Sequence, residues 1–138
     1  MNQRDAFYDN THVMKDSRMS DGFTVEQTSK SNGMWLKLFS RLDPEGRTEV
    51  HYHVHGCPHL IAITSMAIRD TQKKSIQELE TLDIKKYAKI IDLPKNKKRP
   101  SFFVGRCFKR MYKAFQEGLI LWNFQLQIMR SKDLKQIF

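Results

Sequence analysis

The sequence has no long apolar run, no cysteine framework and none of the common catalytic motifs. No stretch approaches the roughly 18 consecutive apolar residues of a membrane span. The opening MNQRDAFYDN does not have the charged and then apolar layout of a secretory signal, so we expect a cytoplasmic protein. Two cysteines, Cys57 and Cys107, form no disulfide framework, which favours a reducing compartment. We expect no enzyme, because no phosphate loop, Ser-His-Asp order or carboxylate pair stands out.

Acidic residues are the scarcer charge, with 15 Asp and Glu against 24 Lys and Arg and a formal net charge of +9. A solvated basic face that aids solubility explains this excess most simply, and an acidic partner is the alternative. No nucleic-acid motif accompanies the charge, so we do not expect a nucleic-acid partner. The length of 138 residues fits one domain, with residues 1–22 as an N-terminal arm and 119–138 as a C-terminal extension.

Three segments of the first half have the pattern of strands: Phe23–Ser29, Met34–Leu42 and Thr48–His55. Between the last two, the letters DPEG place Pro and Gly where a tight turn prefers them, so we expect an antiparallel hairpin or a three-strand meander. The third segment alternates two sets of side chains, Val50, Tyr52 and Val54 on one face and His51, His53 and His55 on the other.

The second half is predicted to be mainly helical. Pro58 suits the first turn of a broad apolar helix. Ser75 and Glu78 have the spacing of a capping box. Further helices are predicted over Ser75–Leu82, Asp83–Asp92 and Ser101–Glu117, the last with Gly118 as C-cap, and alternation over Ile120–Ile128 favours a further strand. The fold class is therefore α+β, a small antiparallel sheet with helices packed on one face.

Cys57 is the candidate reactive residue. A cysteine just before a helix lies at the positive end of the helix dipole and near free N–H groups, which favour the thiolate. Gly56 lets the chain turn sharply and leaves the sulfur accessible. A nucleophile, a sulfur acceptor and a metal ligand all remain open, and a small buried residue at a strand–helix corner is the plainer alternative. Cys107, inside a helix, is interpreted as a packing residue.

Histidines surround this cysteine at alternate positions of the chain, His51, His53, His55 and His59. Cys57 with His55 and His59 is a candidate metal site, for zinc or another borderline metal. Residues on one strand face are spaced about 6.6–6.8 Å apart, so three in a row cannot easily share an ion. A polar, partly exposed sheet face is therefore the leading interpretation of the strand histidines.

The order of these segments resembles the IscU/NifU N-terminal type of iron–sulfur cluster assembly scaffold. The resemblance is carried by the DPEG hairpin, the letters YHVHGC with the following IAITSMA helix, KSIQELETL, and DLP before a Lys-rich loop and a last helix. It implies an α+β fold and a cluster or zinc ion at Cys57, with a cysteine desulfurase or an assembly chaperone as partner. VHGC also resembles the sulfur-acceptor corner of SufE-type proteins, which implies a persulfide on Cys57.

The ligand loops of that scaffold family fall on three places in this chain. One contains Asn32 where the family has a cysteine and Met34 where it has an aspartate. The second is Gly56-Cys57, which is kept, and the third falls on Arg99-Pro100, with neither histidine nor cysteine. One usual ligand therefore remains, and thiolates are what hold iron–sulfur clusters.

The family's chaperone-recognition element is partly kept. The partner-binding residues that this implies are Leu93, Pro94, Lys95, Lys97, Lys98 and Arg99. Three functions stay open: a divergent scaffold, a persulfide carrier, and a non-catalytic module that binds an acidic partner through the basic surface around residues 95–110. An exposed Ile120–Ile128 strand would be a sticky edge, which suggests burial or a homodimer.

Overall fold

The predicted strands form one antiparallel sheet in a computed structural model that describes Phe7 and residues 11–14, 22–95 and 98–137, with 119–137 as backbone only. The three strands lie in the order β1 (Phe23–Ser29), β2 (Met34–Leu42) and β3 (Thr48–His55). A 3₁₀ turn, Lys30–Asn32, joins β1 to β2. The meander and its strand bounds are confirmed.

One face of the sheet forms the core. Side chains alternate across a strand, so β2 and β3 bury every second residue. Leu36, Leu38 and Val50 are 0% exposed and Tyr52 is 1% exposed. The predicted alternation on β3 is confirmed, with His51 and His53 half-buried on the opposite face.

Four helices follow the sheet: α1 (Pro58–Thr71), α2 (Ile76–Leu79), α3 (Ile84–Ile90) and α4 (Arg99–Ile137). The buried side chains of α1 pack against β3, and α4 packs against β1 and β2. The predicted capping box is present, because the Ser75 hydroxyl accepts a hydrogen bond from the Glu78 N–H and the Glu78 carboxylate accepts one from the Ser75 N–H.

Helix α3 ends before Pro94, as the sequence indicates. The residue that terminates the helix is Asp92, which adopts a left-handed backbone conformation. Its φ of 53° is in the left-handed region, and the Leu93 N–H donates to the Ala88 carbonyl oxygen at 2.9 Å. This is a Schellman-type ending with Asp92 where glycine is usual. The two residues that follow, Leu93 and Pro94, line a groove together with residues of α4.

The predicted C-terminal strand is wrong. Helix α4 passes through Gly118 without a cap and continues over the residues of the expected strand to Ile137. Once a helix exists, each added residue gains a backbone hydrogen bond without a new nucleation cost, whereas a strand needs a partner edge. The consecutive apolar residues from Leu119 to Trp122 also interrupt strict alternation.

Part of the N-terminal arm lies beside β3. Val13 forms a parallel bridge with Tyr52, whose N–H donates to the His12 carbonyl oxygen at 3.2 Å. Most of residues 1–22, and Lys97 among the expected partner-binding residues, lie outside the described residues. No helix in the described part of the chain has the length and apolar content needed to cross a membrane.

Candidate sulfur and metal site at one end of the sheet

Cys57 lies at the corner between β3 and α1, as predicted. It is the N-cap residue of α1, has extended backbone angles, and its carbonyl oxygen accepts from the Ile61 N–H at 3.2 Å. Its thiol is free and exposed. The sulfur therefore meets solvent at a helix N-terminus, an arrangement that suits attack on an electrophile or ligation of a metal.

Gly56 fixes this corner sterically. Its φ is 155°, and a Cβ added there would lie 2.5 Å from Leu60 Cδ2 and 3.6 Å from Met34 Cγ. Only glycine allows β3 to approach α1 this closely. The start of β2 therefore lies close to the residue that precedes Cys57.

The segment before β2 belongs to the same end of the sheet. The antiparallel register pairs Trp35 with His55, so Asn32 and Gly33 lie at the end of the sheet where β3 turns into Cys57. Gly33 has φ 63° and closes the 3₁₀ turn, and the Asn32 side chain donates to Ser29 Oγ at 2.9 Å.

The first residue of α4 reaches that segment as well. Arg99 Nη1 donates to Asn32 Oδ1 at 2.5 Å. The three places onto which the family's ligand loops fall are thus brought together, Asn32 to Arg99 by this hydrogen bond and Met34 to Gly56 by proximity. We define these five residues as the corner site: Asn32, Met34, Gly56, Cys57 and Arg99. Asn32 and Arg99, which both fall on ligand positions of the family, are hydrogen-bonded to each other.

The histidines are not gathered around Cys57. His51 Nε2 lies 3.2 Å from Glu49 Oε1, and His53 Nε2 donates to the Met14 carbonyl oxygen at 2.8 Å. His55 is exposed, and His59 contacts Phe7 edge-to-face with ring centroids 6.0 Å apart. The described residues contain no group of three or more His, Cys, Asp or Glu side chains able to hold a metal ion.

A cluster held by one chain does not fit this donor set. Cys57 offers a thiolate, but Arg99 has no lone pair for a metal and Asn32 offers only an amide oxygen that already accepts a hydrogen bond. Iron–sulfur clusters are usually held by four ligands, mainly thiolates. Among the described residues the corner site provides one.

The second cysteine is a packing residue, as expected from the sequence. Cys107 is 0% exposed on α4, and burial raises the pKa of its thiol to about 12. It stays protonated and inaccessible at neutral pH. Cys57 is therefore the one thiol of the chain that solvent reaches.

The expected partner-binding residues separate into two groups. Leu93, Pro94, Lys95 and Lys98 line a groove between α3 and α4, whereas Arg99 turns to Asn32 at the corner. Two features were not expected from the sequence: the bond between Arg99 and Asn32, and the exposure of Phe102 in the groove. The sequence contains a hint of the first, because Asn32 and Arg99 both fall on ligand positions of the family and would therefore lie close together.

The architecture described so far is that of a known fold. A crystal structure from the thermophile Fervidobacterium islandicum, of a protein described as an iron–sulfur cluster assembly scaffold for the SUF system, has the same fold. The TM-score is 0.53 at 16% sequence identity, over 77% of this chain and 93% of that one. The sequence profile of the NifU-like N terminal domain matches residues 5–117, so the chain belongs to that family. No curated protein matches the chain significantly in sequence.

Proposed function

We propose that this chain acts in iron–sulfur cluster assembly as a divergent scaffold-type protein, with the Cys57 thiol as its reacting group. Family membership over residues 5–117 and the scaffold fold support the process. The observation that carries the assignment to Cys57 is its position: an exposed thiol at a helix N-terminus, where the three ligand segments of the family meet. We also propose that the chain acts in the cytoplasm, where a reducing environment keeps thiols such as its two free cysteines reduced.

The corner site limits what the chain does alone. One thiolate cannot hold a cluster tightly, so the proposal requires further ligands from a second copy or from a partner such as a cysteine desulfurase or an assembly chaperone. The chain would then contribute Cys57 to a shared site. It would bind iron weakly by itself.

Anaerobic reconstitution with ferrous iron and sulfide tests this role. We expect the wild type to gain weakly held iron and sulfide-to-iron absorbance through sites shared between two copies, and Cys57→Ala to lose both. Cys107→Ala is the matched control, because it removes a thiol that solvent does not reach. Equal cluster content in the wild type and in Cys57→Ala would remove Cys57 from the assignment.

A persulfide carrier is the second candidate, and the single accessible thiol of the corner site favours it, because a carrier needs one cysteine and no further ligand. The Cys57 thiolate would attack the outer sulfur of a donor protein's persulfide, and the donor's S–S bond would break. A new S–S bond would form on Cys57, the donor would leave as a thiolate, and no oxidant is needed.

A sulfur-transfer assay, compared with the reconstitution, distinguishes the two candidates. Incubation with a cysteine desulfurase and free cysteine should add one sulfur atom to Cys57, visible by mass spectrometry, and Cys57→Ser should gain none. Sulfur transfer without any cluster in the reconstitution favours the carrier. A cluster that depends on Cys57 without sulfur transfer favours the scaffold.

A further inference from the structure

A groove of about 1360 Å³ lies between α3, α4 and the segment that joins them. Its lining includes none of the corner-site residues. One wall is formed by α3, and the other by the part of α4 from Ser101 to Tyr112. The groove is therefore a separate surface of the domain, and its use does not depend on the chemistry of Cys57.

The floor of this groove is apolar. It is lined by large apolar side chains of the helices and their connections, Leu79, Leu82, Ile84, Leu93, Phe102, Phe108 and Met111. Phe102 is 56% exposed. Only Ile90, at 39%, is another large apolar side chain of the described residues with comparable exposure. Exposed apolar surface of this kind, with a charged rim, is typical of an interaction site.

The rim of the groove is basic. It holds six cationic side chains, Lys85, Lys89, Lys95, Lys98, Arg106 and Lys109, against three acidic ones, Glu80, Asp83 and Asp92. Two of the three carboxylates have internal partners. Glu80 accepts from the Tyr112 hydroxyl at 3.4 Å, and Asp83 accepts from the Lys85 N–H at the start of α3 at 3.1 Å.

The six cationic side chains of the rim lack such partners among the described residues. None of the six forms an ion pair with an acidic side chain of the described residues, although Lys73 and Lys86 elsewhere on the surface do. A second copy of this chain is a poor occupant, because each copy has a net charge of +9 and would bring a basic surface to a basic groove. An occupant with negative charge and apolar anchors satisfies both the rim and the floor.

We propose that this groove binds an acidic, amphipathic segment of a partner protein, most simply a helix. Its apolar side chains would cover Phe102, and its carboxylates would meet Lys89, Arg106 and Lys109. This is the helix-in-groove mode of recognition, in which apolar residues anchor the peptide and charges set its orientation. The proposal goes beyond the function proposed for Cys57 and stands without it.

Fluorescence anisotropy with a designed peptide tests the proposal. The probe is a labelled amphipathic helix with leucines on one face and glutamates on the other, and its counterpart has lysine in place of each glutamate. We expect the acidic peptide to bind, more weakly as salt rises, and the basic peptide not to bind. Phe102→Ala should weaken binding about tenfold, as loss of an apolar anchor does.

Charge reversal on one helix provides the matched comparison. Lys109 lines the groove, whereas Lys113, also exposed and four residues further along α4, does not. Lys109→Glu should weaken binding about fivefold or more, and Lys113→Glu, with the same change of net charge, less than about twofold. Equal weakening by the two variants would mean non-specific attraction to a basic protein and would overturn the proposal.

Two further results would also overturn it. One is the absence of binding by the acidic peptide at low salt. The other is competition by a single-stranded oligonucleotide that is as strong as competition by unlabelled acidic peptide. Cys57→Ala should bind the peptide like the wild type, so a failure of the groove is distinguished from a failure of the proposed sulfur chemistry.

Discussion

The corner site and the groove share one helix but use its polar side chains in opposite ways. At its start, α4 directs Arg99 to Asn32, and the guanidinium donates a hydrogen bond to the side-chain oxygen of Asn32. Two turns later, Arg106 and Lys109 border the groove and have no acidic partner in the described part of the chain. The corner cation therefore has a hydrogen-bond partner within the chain, whereas the groove cations are open to a partner molecule.

The fold depends little on the polar contact at the corner. The sheet and helices are held by a buried core from Val25 to Phe115, and Gly56 fixes the corner by close packing. Burial of apolar surface of this extent contributes far more to stability than one exposed polar contact. The position of Cys57 therefore depends on the core and on Gly56 more than on the hydrogen bond between Asn32 and Arg99.

The largest expected contrast between the two regions is in thiol reactivity. Because burial raises the pKa of Cys107 to about 12, this thiol stays protonated, and it is also shielded by the core. Iodoacetamide at neutral to mildly basic pH should modify Cys57 more than about 1000-fold faster than Cys107. Intact mass spectrometry of the native protein should show a single label.

The controls are direct. Cys57→Ala should take up no label in the native state, and both thiols of the wild type should react in denaturant. Two labels on the native protein at similar rates would mean that α4 opens readily from the core. The groove wall would then lack the rigidity that its proposed role requires.

A substitution at the corner gives the next largest effect. Gly56→Ala places a Cβ 2.5 Å from Leu60 Cδ2 in a backbone conformation that other residues rarely adopt. We expect a loss of about 3 kcal/mol in the free energy of unfolding. Denaturant titration followed by circular dichroism measures this loss.

Gly33→Ala at the same corner is the matched control. Its φ of 63° is also unfavourable for alanine, but a Cβ there meets nothing within 4 Å. The expected loss is about 1 kcal/mol. Equal losses at the two glycines would show that backbone strain, and not contact with α1, makes Gly56 necessary.

Local patterns in the sequence predicted much of this fold. Alternation on β3 gave the face of Tyr52 correctly, and the Ser75 capping box and the Gly56-Cys57 corner were visible as short motifs. The C-terminal strand was predicted wrongly, because alternation over Ile120–Ile128 was judged without the helix that precedes it. A short apolar segment is ambiguous between the two structures.

Contacts between distant parts of the chain could not be predicted in this way. Asn32 and Arg99 are 67 positions apart, and no local pattern indicates their hydrogen bond. The exposure of Phe102 was equally hidden, because it follows from how α3 packs against α4. The sequence shows the basic charge around residues 95–110, but the apolar floor of the groove becomes visible only in the folded structure.

The smallest predicted effect is on stability, and it tests whether Arg99 has a stabilising partner within the chain while the groove cations have none. Arg99→Ala removes an exposed hydrogen bond to Asn32 and should cost about 0.5 kcal/mol of stability. Arg106→Ala, at the groove, should change stability by less than about 0.3 kcal/mol, since surface substitutions without partners have small effects. Thermal or denaturant unfolding of both variants gives the comparison.

A double-mutant cycle identifies the bond itself. Asn32→Ala should cost about 0.5 kcal/mol in the wild type and almost nothing in Arg99→Ala, because the partner has already been removed. Strictly additive losses would mean that Arg99 does not hold Asn32 in solution. The Arg99 guanidinium would then be as free as the cations of the groove, and the contrast between the start of α4 and the groove would no longer hold.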